Sequence, residues 1–242
     1  MLPKPKSYKD IVYPRPEVAK LVDDLVANAQ PFPATGTTGL LIWGPYGTGK
    51  STLAQLLPNA LEQSRGGQVP VVPRHEKIVS GNNGSALIAS LERIAETMPP
   101  IGYRHQYIIL DELDNLGTAA MKSLKNVMEY GGLNAIFIMT TNHLDQINDA
   151  VSSRSHLIEM TAPPASEWLP VVKQALTNAG ITKVLSDALL LRLIDGCGGD
   201  VRELDRQLER LKRELMLTAP SSPTPSNSPT NAAVANSGPA KP

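Results

Sequence analysis

Gly39-Leu40-Leu41-Ile42-Trp43-Gly44-Pro45-Tyr46-Gly47-Thr48-Gly49-Lys50-Ser51 is the stretch that decides the fold. Its short apolar run, closed by Gly44-Pro45, reads as a buried strand, and residues 50–61 carry a helical pattern. Between them stands G-x-x-x-x-G-K-[ST]. Glycines let such a loop wrap its backbone round a phosphate, and the N–H groups of the turn and of the helix start face the anion. Lys50 reaches the outer phosphates, and the Ser51 hydroxyl is suited to Mg²⁺. With strand and helix both in place, a chance Gly-rich turn is the weaker alternative. A nucleotide is expected at Gly44, Pro45, Tyr46, Gly47, Thr48, Gly49, Lys50, Ser51 and Thr52.

Further along the chain, Tyr107-Ile108-Ile109-Leu110 is a second buried strand, and it ends in Asp111-Glu112. In a phosphate-loop ATPase the first such acid holds the metal and its neighbour orients the attacking water. Asp111 with Ser51 is therefore the expected Mg²⁺ pair and Glu112 the expected water-activating group. The plain alternative is an acidic loop, because Asp114 continues the run. A third strand, 135–140, ends in the polar pair Thr141-Asn142, and a short fourth is expected at 157–160. Helical spacing separates them at 18–26, at 87–98 before Pro99-Pro100, and at 121–128 before Gly131-Gly132. Buried strands alternating with helices predict a parallel α/β sheet.

Pro163-Pro164 marks a boundary, after which only helical patterns occur, at 168–178, 186–194 and 200–217. The expected organisation is a phosphate-loop α/β domain over 1–162, a small all-helical domain over 163–218, and a disordered tail over 219–242. The tail holds six prolines and a single charge, Lys241, too little apolar surface to offset its ordering entropy.

Composition narrows the function. The 242 residues allow one large domain or one and a half. With 23 basic and 23 acidic residues, a generally cationic nucleic-acid coat is excluded, and 4% aromatic content argues against a stacking-based single-strand binder. No run reaches the ~18 apolar residues that span a bilayer, and residues 1–6 carry no apolar leader. The one cysteine, Cys197, excludes an internal disulfide and a multi-thiolate zinc site. A cytoplasmic protein with no membrane partner is expected.

The set 44–51, Asp111-Glu112-Leu113-Asp114, Thr140-Thr141-Asn142 and Ser153-Arg154-Ser155 resembles AAA+ ATPases, specifically the clamp-loader group. Ser155 stands where that group usually has Cys. The resemblance covers most of residues 4–217. Lys6-Ser7-Tyr8-Lys9-Asp10-Ile11-Val12 looks like the group's adenine-flanking segment, which implies that Ile11 and Val12 line the base. Residues 80–85 look like its Asn-Gly-Ser segment near the DNA-facing interior of a ring, and 124–129 like its Leu-Arg-Arg-x-Met-Glu helix. Gly199-Asp200-Val201-Arg202 looks like the start of its lid helix.

By that resemblance Asn142 is implied as the residue that positions water and γ-phosphate. Arg154 is implied as an arginine finger acting in trans, and Arg202 as a lid contact to γ-phosphate. The plain alternatives are a turn cap for Asn142 and a surface ion pair for Arg154. Asp200 and Glu203 are expected to form a capping box. Leu204, Leu208, Leu211 and Leu215 are expected to form the buried stripe of that helix.

The resemblance implies ATP and Mg²⁺, an oligomer of AAA+ subunits, primer-template DNA and a sliding clamp. Lys77, Asn82, Asn83 and Lys125 are the candidates for DNA contact. Two other readings stay open: a helper ATPase for transposition, helicase loading or protein remodelling, and a nucleotide-locked scaffold without turnover.

Overall fold

The computed structural model describes residues 1–130, 133–181 and 185–217. Five strands form one sheet: β1 Gly39–Trp43, β2 Arg74–Lys77, β3 Gln106–Asp111, β4 Ala135–Thr141 and β5 Ser155–Glu159, in the order β2-β3-β4-β1-β5. Every pairing is parallel. The three central strands are apolar almost throughout because both faces are covered. Along a strand alternate side chains point to opposite faces. Leu41, Ile108, Leu110, Phe137 and Met139 therefore pack on one side, against α3 (Ser85–Glu96) and α4 (Thr118–Tyr130). Leu40, Ile42, Ile109, Ile136 and Ile138 pack on the other, against α1 (Pro16–Val26) and α2 (Lys50–Ser64).

The sheet corrects the expected strand count. β2 reads Arg74-His75-Glu76-Lys77, with no apolar residue, and three of its four side chains are exposed. It is an edge strand, whose backbone pairs with β3 alone. β5, the other edge, begins at Ser155, two residues before the expected start, and only Ile158 is buried. The short helix α5 (Asp149–Ser152) and three 3₁₀ turns carry no periodic signal.

α6 (Ala165–Asn178), α7 (Asp187–Gly196) and α8 (Val201–Leu217) share an apolar cluster built on Trp168, Val172, Leu190, Ile194, Leu204 and Leu208. Of the expected stripe on α8, Leu204 and Leu208 are buried and Leu211 is half-buried. Met1, Leu2 and Val12 pack against the same cluster, so the N-terminal segment bridges the sheet and these helices. A direct link runs from the Val201 N–H to the Gly47 carbonyl, 3.0 Å. Residues 131–132 and the tail expected over 219–242 lie outside the described residues.

Candidate nucleotide site

β1 sits between β4 and β5, while the chain leaving β1 crosses to the far side of the sheet. In open parallel sheets the crevice at the strands' carboxyl ends, where strand order reverses, is the ligand site. The turn from β1 into α2 occupies that place. Gly47 has φ +78°, a left-handed backbone that favours glycine. A Cβ there would also stand 2.3 Å from an Asp200 carboxylate oxygen. The loop and the start of α8 are thus fitted to each other.

Lys50 is buried, and its ammonium donates to the carbonyls of Gly44 (2.8 Å) and Pro45 (2.6 Å). Burial pulls its pKa down to about 8; Asp111 and Asp114 oppose the shift, and Arg202 adds to it. The Thr48 hydroxyl donates to the Pro45 carbonyl at 3.0 Å, closing the loop on itself. Thr52, Gly49, Ile11 and Val12 line a cavity of about 920 Å³, with Trp168 and Val201 contributed by the helical cluster.

Asp111 ends β3 with its carboxylate facing the loop. The Ser51 hydroxyl donates to Asp111 Oδ1 at 2.9 Å, and Thr140 from β4 donates to the same oxygen. This gathering of hard oxygens fits Mg²⁺, which takes one or two protein carboxylates or hydroxyls and fills its octahedron with water and phosphate. Glu112 follows with φ +60° and ψ +52°. Left-handed backbone at a residue other than glycine is uncommon and gathers at functional sites. Its carboxylate pairs with Lys77 Nζ at 3.0 Å and accepts from Asn115 Nδ2 at 3.4 Å.

Asn142 lies at the end of β4, beside the loop: Gly44 N–H donates to the Thr141 carbonyl at 3.3 Å. Its own N–H donates to Asp114 Oδ1 (3.3 Å), which also accepts from the Thr141 hydroxyl (2.7 Å). Arg202 is exposed in the first turn of α8, near enough to lower the pKa of Lys50. Asp200 caps that helix, accepting from the N–H groups of Arg202 (2.8 Å) and Glu203 (3.3 Å). The expected reciprocal half of the box is replaced: Glu203 accepts from Gln207 at 2.5 Å and pairs with Arg206 at 2.8 Å.

Arg154 is not part of this gathering. Its carbonyl accepts from Thr38 and Gly39, at the opposite end of β1 from the phosphate loop. With about 3.3 Å of rise per residue along a parallel strand, that is ~15 Å away. Its guanidinium pairs with Glu129 at 3.1 Å and donates to the Ala150 carbonyl at 3.0 Å. Lys77, a candidate for DNA contact from the sequence, bonds Glu112, and Thr140 bonds Asp111; no local sequence pattern indicates either contact. Lys77 ends a polar stretch that proves to be in register with Asp111. Asn83, another DNA candidate, donates to the Asn115 carbonyl at 3.1 Å and so braces the loop that holds Glu112.

A parallel sheet with a glycine-rich phosphate loop after its first strand and an acid pair closing the next strand but one defines a P-loop ATPase fold. The family model described as "ATPase family associated with various cellular activities (AAA)" matches residues 40–161, and the chain belongs to that family. It is 27% identical over 207 residues to replication factor C small subunit 2 of Pyrobaculum aerophilum, covering 85% of this chain and 61% of that protein. It is 27% identical over 215 residues to replication factor C subunit 5 of Saccharomyces cerevisiae, covering 75% and 60%. The chain thus spans about three-fifths of the length of the curated relatives it matches. The RuvB Holliday junction branch migration motor of Thermotoga maritima shares the fold, with a TM-score of 0.67 at 18% identity over 88% of this chain and 66% of that one.

Proposed function

We propose that this chain is the ATP-hydrolysing motor subunit of a DNA-replication assembly of the clamp-loader type. It works as an oligomer in which Arg154 of one subunit completes the site of the next. One observation carries the reading: Ser51 and Asp111 meet beside the phosphate loop, with Glu112 next along the chain, while Arg154 is held at the far end of β1. A finger placed there serves another subunit's nucleotide and not its own. The similarity to replication factor C subunits supports the replication role.

On this reading, ATP lies with its base in the cavity beside Ile11 and Val12 and its phosphates against the loop. Ser51 and Asp111 would hold Mg²⁺, which neutralises charge on the phosphates when bound. Glu112 orients the water that attacks the γ-phosphorus and takes up its proton. Asn142 fixes that water from the end of β4, and Arg202 reaches the γ-phosphate from α8, so that residues 163–218 act as a lid on 1–162. The neighbour's Arg154 stabilises the charge of the transferring phosphoryl group, a contribution of roughly 10³–10⁵ in rate. Other AAA+ subunits, primer-template DNA and a sliding clamp are the partners, and the cytoplasm is the compartment.

The test is the ATPase rate against protein concentration, with and without primed DNA and clamp. A shared site predicts specific activity that rises with concentration, stimulation by primed DNA, and loss of turnover in both Glu112→Gln and Arg154→Ala. A rate strictly proportional to protein and untouched by Arg154→Ala would sink the trans arrangement. Filaments on duplex DNA without any need for a clamp would point instead to the helper-ATPase reading.

A further inference from the structure

We propose that Glu129 is the positioning residue for Arg154, setting the plane in which the guanidinium is presented to the neighbouring subunit. The proposal rests on the reading of Arg154 as a finger acting in trans. Three elements meet at this point. The Arg154 N–H donates to the Val151 carbonyl at 3.1 Å, and its carbonyl takes the N–H groups of Thr38 and Gly39 at 3.2 and 3.0 Å. The end of α4 is tied to the same place, because the Thr38 hydroxyl donates to the Met128 carbonyl at 3.1 Å. Gly39 permits the approach: a Cβ there would lie 2.4 Å from Ser155 Oγ and 2.7 Å from Met128 Cε. The backbone that carries Arg154 and the helix end that carries Glu129 are therefore locked in register.

Within that frame the side chain is fixed at two points. Nη1 donates to the Ala150 carbonyl at 3.0 Å, and Nη2 to Glu129 Oε2 at 3.1 Å. A guanidinium is planar and carries five N–H donors in a fixed fork, so two anchors determine where the rest point. Nε is buried and has no acceptor among the described residues. Glu129 itself sits in the last turn of α4, where the helix dipole disfavours a carboxylate. Arg154 is the cation that offsets this. The Arg154 side chain is 22% exposed and that of Glu129 56%, so the anchor lies at the surface while the arginine stem is enclosed. Such a pair adds little to stability, which leaves orientation as its consequence.

The experiment uses the full chain with primed DNA and compares wild type, Glu129→Gln, Glu129→Asp, Arg154→Ala and the double variant Glu129→Gln/Arg154→Ala. ATPase is measured across protein concentration, ATP-analogue binding by fluorescence, and folding by thermal melts. Glu129→Gln should melt like wild type, bind the analogue within about twofold, and lose roughly 10- to 100-fold in kcat, the effect of misplacing a reacting group by about an ångström. Glu129→Asp should recover part of the loss. The double variant should be no slower than Arg154→Ala, as residues acting as one unit are not additive. Wild-type or faster turnover in Glu129→Gln, with Arg154→Ala inactive, would overturn the role of Glu129 and leave the finger standing. A double variant slower by the full Glu129→Gln factor would also overturn it. Full activity in Arg154→Ala would remove the finger itself.

Discussion

Replacing Gly47 by alanine should damage two parts of the molecule at once, and the two costs can be separated. The first is local. With φ +78°, Gly47 holds a left-handed backbone that costs an L-residue roughly 1–2 kcal/mol. The second is remote in sequence. The added methyl would lie 2.3 Å from Asp200 Oδ1, 2.4 Å from Cγ and 2.9 Å from Oδ2. The carboxylate must then leave the N–H groups of Arg202 and Glu203, and losing a helix cap costs about 1 kcal/mol. Gly47→Ala should therefore destabilise by about 2–3 kcal/mol in total. In an Asp200→Ala background the cap is already gone and the clash removed, so the same substitution should cost only about 1–2 kcal/mol. The gain that alanine makes by restricting the unfolded chain is common to both backgrounds and cancels. Urea unfolding of the four proteins, followed by far-UV circular dichroism, would give a coupling of about 1 kcal/mol, clear of the ~0.3–0.5 kcal/mol expected of independent sites. Additivity within that margin would mean that Asp200 does not rest on Gly47, and the fit between phosphate loop and α8 would have to be abandoned.

Lys77 Nζ holds the Glu112 carboxylate in an ion pair, so removing it should free that carboxylate to take up a water; Lys77→Ala is expected to raise basal ATPase by roughly two- to tenfold, read by steady-state turnover at saturating ATP. ATP affinity should fall at alkaline pH. The free-state pKa of Lys50 near 8 means that above pH 8 binding must first protonate it, so the dissociation constant of a non-hydrolysable analogue should rise about tenfold per pH unit up to the higher pKa of the bound state. Stability without nucleotide should run the other way, because the unfolded chain binds the proton more tightly between pH 8 and 10.5 and folding gains as pH rises through that window. Glu62 is fully buried and accepts from Tyr107 Oη (2.8 Å) and the Arg104 N–H (2.5 Å). Glu62→Leu leaves both donors unpaired and should cost about 2–4 kcal/mol in chemical denaturation.

How much of this was readable follows from burial. β1, β3 and β4 announce themselves because a strand covered on both faces must be apolar along its length. β2 is silent because an edge strand with polar side chains needs only its neighbour's backbone, and Arg74-His75-Glu76-Lys77 offers no period to detect. The glycine-rich loop and the Asp111-Glu112 pair are legible as motifs because each is a run of contiguous residues at a strand end. Their partners are not. Lys77 reaches Glu112 through the pairing of β2 with β3, and Thr140 reaches Asp111 from β4, so each depends on register that no local pattern encodes. The half-formed box at α8 shows a local rule losing to local competition: Gln207 and Arg206, one turn on, claim the Glu203 carboxylate. Arg154 and Glu129 lie 25 residues apart, and only the packing of α4 against the start of β1 brings them together.

The placement of the phosphate loop and Arg154 at opposite ends of β1 has a consequence for counting. A subunit that offers a socket at one end and a plug at the other joins its neighbours head to tail. On the proposed reading, an open arc of such subunits always leaves one socket unfilled at its terminus, and only closure into a ring, or a foreign subunit supplying its own arginine, makes active sites equal in number to subunits. On the same reading a lone chain has no complete site. The ratio of turnover to bound nucleotide would then report whether the assembly is open or shut, without any image of its shape.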